Sequence, residues 1–321
     1  MAQPTNTYES YDMVGIREDL SDIINDYSPT DTPLYSGVGK TDATNTYHEW
    51  QTDALRSSAV NAHVEGDDTT ASARSPTVRL GNYTQIFKDA VTVSGTQSAL
   101  NKAGRGDELD YQMLKVGREI RLDIEKALLD NQARAAGSAN TGARRLAGVP
   151  AWLKTNTVHE SGSSGADPTG DGTDARTDDG TPVAFTQARM DTMLQSIATN
   201  SRRSNNLTVL LNAFQYKHAL TFTGNNNQRA TITARDGAVA NVIDVYMTPW
   251  GIVDFVHSIE IRARDVLALD MDTFKVAVAR GFAVEDLAKT GDNEKKQMIC
   301  ELTLEACNEI ASGGVFDNTV S

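Results

Sequence analysis

Cysteine is nearly missing from this sequence: Cys300 and Cys307 are the only two in 321 residues. So small a supply cannot form the disulfide framework of a cysteine-stapled secreted domain. Both sit in "CELTLEAC", where apolar and polar residues alternate as in a strand. Positions seven apart on a strand point to opposite faces, so the two thiols should not meet. Long apolar runs are missing too, and no stretch approaches the roughly 18 residues of a membrane-spanning helix. The first residues, "MAQPTNTYESYDM", have neither the basic start nor the apolar run of a secretory signal. These absences predict a soluble protein made in a cytosol. Positive charge is scarce: 30 Lys and Arg against 43 Asp and Glu leave a net charge of -13. That balance argues against a surface built to grip a nucleic-acid backbone, which needs clustered cations.

Signatures of chemistry are equally thin. The stretch "LYSGVGKT" ends like a phosphate-binding loop, with Gly39, Lys40 and Thr41 in the right order. Such a loop needs another glycine five places before Gly39, a buried strand ahead of it and a helix behind it. Leu34 occupies the first glycine's place, and Pro29 and Pro33 interrupt any central strand. The following "DATNTYHEW" reads as a strand, which leaves no helix N-terminus to hold phosphate. The stretch is therefore expected to be a glycine-rich turn. His48 beside Glu49 and His63 near Glu65 face each other across a possible hairpin, but at no recognisable metal-ligand spacing. Asp167, Thr169, Asp171, Gly172 and Asp178 partly match a calcium loop, yet two ligand positions deviate and flanking helices are missing. "SGSSG" at 161–165 has the wrong spacing for a nucleophile elbow. His218 and His257 read as ordinary structural residues. No catalytic, cofactor-binding or metal-binding residue is assigned, and no cofactor is expected.

What is present is a distinctive order of parts. Residues 1–33 are polar and acidic, with prolines at 4, 29 and 33, and hold too little apolar surface for a core. They read as an arm that must lie on something else. Between about 44 and 94, "NTYHEWQTDAL" and "TVRLGNYTQIFKDAVTVSG" read as two long strands joined by a polar turn. A hairpin this polar is marginal alone in water and needs a partner surface. Next, Leu109, Met113, Val116, Ile120, Ile124 and Ala127 recur on one helical face. Asp107 is the N-cap expected for that helix and Gly137 its stop, giving a span of 107–136. Residues 160–182 are rich in Gly, Ser, Asp and Thr and predict an exposed, mobile acidic insertion. A helix with Met190, Met193, Leu194 and Ile197 at helical spacing follows, then the strand "LTVLLN" and a helix capped by Asn212. A hairpin turns at Pro249 and Gly251, and two further strand regions, "VLALDMDTFKVAVARG" and "QMICELTLEACNEIASGGVF", end the chain.

Taken together, this α+β pattern resembles the major capsid (major head) proteins of tailed bacteriophages with the HK97-type fold. The phrases "TPLYSGVGKTDATNTYHEWQTDAL", "VEGDD", "LGNYTQIFKDAVTVSGTQ" and "EIRLDIEKALL" carry the likeness. The resemblance implies an N-terminal arm at 1–33 and an extended loop with its joints at 34–95. It implies a peripheral domain at 96–159 with the spine helix at 107–136, the insertion at 160–182, an axial domain at 183–260, and return strands of the peripheral domain at 261–321. It further implies a non-enzymatic subunit that self-assembles into hexamers and pentamers, encloses double-stranded DNA without reading its sequence, and resides in the virion after assembly in the host cytoplasm. Scaffolding, portal and decoration proteins would be its partners, with no membrane involved. An encapsulin-like compartment shell shares the fold, and a nucleotide-binding enzyme using Gly39, Lys40 and Thr41 is the alternative from another class. Some relatives crosslink through a lysine in the extended loop. Here none occurs between Thr41 and Phe87, so covalent chain-mail from that loop is not expected. The chain starts directly with the arm, so scaffolding is expected from a separate protein or an already removed segment. Deleting roughly 55–80 is expected to leave a folded subunit that does not assemble.

Overall fold

A computed structural model describes residues 31–68, 71–100, 106–139, 142–159, 165–201, 207–222 and 245–320. Residues 1–30 of the expected arm and 161–164 of "SGSSG" lie outside these. In chain order the first elements are α1 (Pro33–Gly37), β1 (Gly39–Asp42), β2 (Tyr47–Thr52), β3 (Val78–Tyr83), β4 (Gln85–Ser94), α2 (Gly95–Ala99) and α3 (Glu108–Leu129). Then come β5 (Thr157–Val158), α4 (Gln187–Ser201), β6 (Leu207–Leu211), α5 (Ala213–Ala219), β7 (Val245–Thr248) and β8 (Gly251–His257). The last are β9 (Val266–Leu269), β10 (Phe274–Asp286), β11 (Asn293–Ala306) and β12 (Gly313–Val315).

Three sheets result. A four-stranded sheet runs β1-β10-β11-β4, a six-stranded sheet runs β5-β12-β9-β6-β8-β7, and β2 pairs with β3 alone. "VLALDMDTFKVAVARG" therefore holds two strands in different sheets, because a short 3-10 turn at Met271–Thr273 breaks it.

The apolar run of β9, and that of β6 apart from half-buried Thr208, mark strands buried on both faces. Val209, Leu211, Val266 and Ala268 pack with Met190, Met193 and Ile197 of α4 into one core. Leu210, Leu267 and Leu269 face the other way, into a core shared with α3, Trp152 and Phe274. One sheet thus joins two cores through strict alternation.

Helix α3 covers one face of the four-stranded sheet. Leu109, Met113, Val116, Ile120 and Ile124 of the predicted stripe are buried, but Ala127 is only half-buried and Leu128 and Leu129 end the buried face instead. The Asp107 side chain accepts from the Leu109 N–H at 2.9 Å as the N-cap. The C-terminal end differs from expectation. The helix has 22 residues and stops at Leu129, well before Gly137. Residues 132–138 instead hydrogen-bond across to 142–148: Gly148 N–H donates to Gln132, and Ala135 and Arg145 exchange bonds. Gly148 sits so close that an added Cβ would lie 2.0 Å from the Asp130 carbonyl oxygen. Tertiary pairing overrides the helix propensity of "ARAA". Gly137 does take positive φ, at 75°, but inside this small ribbon, between the bridges Ala135–Arg145 and Ser138–Gly142.

The segment 165–182 departs most from expectation. It is anchored rather than wholly exposed: Pro168, Gly172, Arg176 and Asp179 are buried, while residues such as Thr169, Thr173 and Thr177 face solvent. Gly172, at φ 77°, lets the chain lie against Trp152, whose ring an added Cβ would meet at 2.8 Å. Asp167 and Asp178 are paired with arginines, which removes their reason to stay in water.

Candidate assembly interface

The β2–β3 hairpin has a firmly bound base and an unpartnered remainder. Its six residue pairs run from Tyr47 with Tyr83 to Thr52 with Val78. At the base, Trp50 packs on Trp152 with centroids 5.3 Å apart, and its Nε1 donates to the Ala306 carbonyl at 2.9 Å. Asn82 is fully buried and spans two segments: Nδ2 donates to the Leu304 carbonyl at 2.9 Å, and Oδ1 accepts from the Ala147 N–H at 2.9 Å. Thr303 donates to the Tyr83 carbonyl at 2.8 Å, and His48 Nε2 meets Glu305 Oε2 at 3.2 Å. Gly81 leaves room for the Tyr47 ring, which an added Cβ would approach to 2.6 Å.

Beyond Thr52 the described residues form no strand until Val78, and Leu55, Val60 and Val64 are 99%, 96% and 80% exposed. Twelve residues out and twelve back allow a reach of up to about 40 Å. The expected two long strands are thus two six-residue strands with a 25-residue connection, 53–77. β4 is not part of the hairpin; it pairs with β11 in the main sheet. A deletion that spares β3 must therefore end before Val78, not at 80.

Glu301 ties the neck of this region to the sheet. Its Oε1 accepts from Thr84 Oγ1 and Arg144 Nη2, each at 2.6 Å, and its Oε2 from Arg280 Nε at 2.9 Å. Burial alone would raise its pKa, but the hydrogen bonds from Thr84 and Arg280 and the two guanidinium charges hold it below the usual carboxylate range.

The start of the described chain is fixed just as specifically. The Glu125 carboxylate, fully buried on α3, accepts from the Leu34 N–H at 2.9 Å and the Tyr35 N–H at 2.7 Å. It thereby supplies the acceptor that the open amino end of α1 needs. Burial pushes Glu125 up, against the two backbone hydrogen bonds that favour its charge. Glu125 and Glu301 escape sequence reasoning, because an acid among apolar positions looks the same whether or not a distant N–H meets it.

The other sequence candidates fall apart. Gly39–Asp42 is not a turn but strand β1, parallel to β10 from Gly39 opposite Lys275 to Asp42 opposite Val278. The adjacent helix α1 precedes it, and Lys40 Nζ lies 4.7 Å over the Tyr35 ring. His48 faces Glu305, while Glu49 pairs with Arg79. His63 instead meets Asn61 and Asp67. Of the calcium-loop candidates, Asp167 meets Arg176, Asp171 accepts from Thr169 and Thr173, and Asp178 meets Arg262 and Arg264. Gly172 serves as the close-packing point against Trp152. Among the described residues, no group of three or more His, Cys, Asp or Glu is arranged to hold a metal ion. His218 stacks on Phe214 at 4.8 Å, and His257 ends β8. No helix among the described residues is long and apolar enough to cross a membrane.

The model of the SU10 major capsid protein family matches residues 3–319. The chain belongs to that family. A major capsid protein of Escherichia phage Phieco32 is 41% identical over 167 residues, which is 52% of this chain and 47% of the relative. The chain thus matches about half the length of that curated relative. The capsid asymmetric unit of cyanophage A-1(L) superposes with a TM-score of 0.63 at 14% identity, covering 95% of this chain and 97% of that one. The capsid of a native GTA particle gives 0.61 at 10% identity, covering 97% of both. These likenesses establish the HK97-type α+β fold for this member of the capsid family.

Proposed function

We propose that this family member is the major shell subunit of a phage head. Copies assemble into hexamers and pentamers that close an icosahedral shell around double-stranded DNA, in the host cytoplasm, and remain in the virion. The carrying observation is the 25-residue hairpin extension, whose apolar side chains are bare while its base is bound by Trp50 and Asn82. Such an element costs a lone subunit solubility and is completed by a neighbouring copy. In this reading 1–33 is the arm, 34–95 the extended loop with its joints, 96–159 the peripheral domain, 183–260 the axial domain and 261–321 the returning strands. Within the insertion at 160–182, residues 165–179 serve as a brace held by Arg176, Arg262 and Arg264. The subunit has a structural role, not a catalytic one, and takes no cofactor. A net charge of -13 suits a lining from which packaged DNA must not stick. Scaffolding, portal and decoration proteins are the expected further partners.

Removing 55–76 and joining the ends with a two-residue turn tests this. The expected product is a folded subunit with native thermal unfolding that forms no shells. Normal shells from the deleted chain would remove the extension from the assembly mechanism.

A further inference from the structure

Three segments far apart in sequence meet in a buried ionic cluster: 165–182, the turn 259–265 before β9, and the residues after β12. Arg176 is 4% exposed, lies 3.6 Å over the Phe316 ring, and pairs with Asp167 at 2.5 Å. Arg262 contacts Asp178 and sits 3.2 Å from Asp265. Arg264 lies 3.4 Å from both Asp178 and Asp317. Asp317 takes a left-handed φ of 57°, and its Oδ1 accepts from the Asp179 N–H at 2.9 Å. Four aspartates (167, 178, 265 and 317) therefore share three arginines; Asp179 joins through its backbone, its carbonyl accepting from Arg264, and Asp130 at the end of α3 adds its charge near Arg262.

Asp265 is the weak member. It is 1% exposed, its 3.2 Å ion pair with Arg262 lacks hydrogen-bond geometry, and neither of its oxygens accepts a hydrogen bond. A buried carboxylate in that position favours its neutral form. Burial, with Asp178 and Asp317 adding to it against Arg262 and Arg176, pushes Asp265 up to about 7.

We propose that this cluster is a proton-operated clamp: Asp265 keeps a proton when 165–182 is docked, and loss of that proton to solvent loosens the segment from the sheet. The device acts within one subunit and does not depend on assembly. The sign follows from linkage. A group that binds its proton more tightly when docked than when open stabilises docking fully at low pH, and that contribution is lost as pH rises through the docked value. The sensitive window therefore runs from about 4, the ordinary aspartate value, to about 7, and docking is level above it.

Hydrogen exchange of the unassembled subunit between pH 5 and 8, corrected for the intrinsic pH dependence of exchange, tests the clamp. The reporters are the amides that bond outside the segment, Arg176 N–H to Asn131 Oδ1 and Asp179 N–H to Asp317 Oδ1. Their open fraction should rise about tenfold per pH unit from 5 to 7, then level off, as one proton requires. The isosteric Asp265→Asn should make the profile flat. Asp178→Asn removes a like charge, so levelling should come at lower pH; this variant decides the matter if Asp265→Asn does not fold. A flat wild-type profile, an unchanged slope in Asp265→Asn, or an unmoved plateau in Asp178→Asn would overturn the clamp.

Discussion

Replacing Glu125 by alanine should release the start of the described chain from the long helix. The carboxylate is fully buried and accepts from both Leu34 and Tyr35 N–H groups, at 2.9 and 2.7 Å. Its removal leaves two donors without an acceptor in a site closed to water, at about 1–3 kcal/mol each. Against that stands the relief of no longer burying a carboxylate, which burial pushes towards its neutral form. The net loss should be about 2–3 kcal/mol, and Glu125→Gln, which keeps one acceptor oxygen, should lie between alanine and wild type. Denaturant unfolding of the unassembled subunit measures the total. Hydrogen exchange at Leu34, Tyr35 and Val38 locates it, since Val38 N–H closes α1 on the Leu34 carbonyl. A loss below about 0.5 kcal/mol with unchanged protection at these amides would refute the capping role. The same residue would then be a buried carboxylate whose two hydrogen bonds merely balance its desolvation.

Two further perturbations probe the hairpin's attachment. Trp50→Ala removes a 9%-exposed ring and its bond to the Ala306 carbonyl, and should destabilise the subunit by about 3–5 kcal/mol. Trp50→Phe should lose mainly the hydrogen bond, near 1 kcal/mol; equal losses in denaturant unfolding would mean that packing on Trp152 matters little. Glu301 has a lowered pKa, so its contribution is present above the unfolded value of about 4.3 and is lost as pH falls through the folded value. Glu301→Gln should therefore be less stable than wild type at pH 7, with the gap closing as pH falls below the unfolded value of about 4.3. A gap independent of pH in melting curves would show that charge at this position is immaterial.

Much of the fold was legible because local chemistry and global packing agree. The stripe of α3, its Asp107 cap, the buried face of α4 and the Asn212 cap of α5, which accepts from Gln215 N–H at 2.9 Å, all follow from spacing. The misread parts are those where distant partners decide. "ARAA" has helix propensity, but bonds to 142–148 end α3 early. "GVGKT" has the glycines of a turn, but Lys275–Val278 offer it a parallel strand. The acidic 165–182 looked solvated until Arg176, Arg262 and Arg264 arrived to neutralise it. The poor burial of the hairpin's described extension was readable from its polarity alone. The binding of its base by Trp50, Asn82 and Thr303 was not, because those contacts span more than 200 residues.

Electron microscopy of the purified full-length protein, over a range of concentration and salt, tests the shell assignment most directly. The account predicts closed megadalton particles whose vertices and faces are built from pentamers and hexamers. A chain that stays a well-folded monomer under every condition, with its hairpin extension bare in solution, would contradict it.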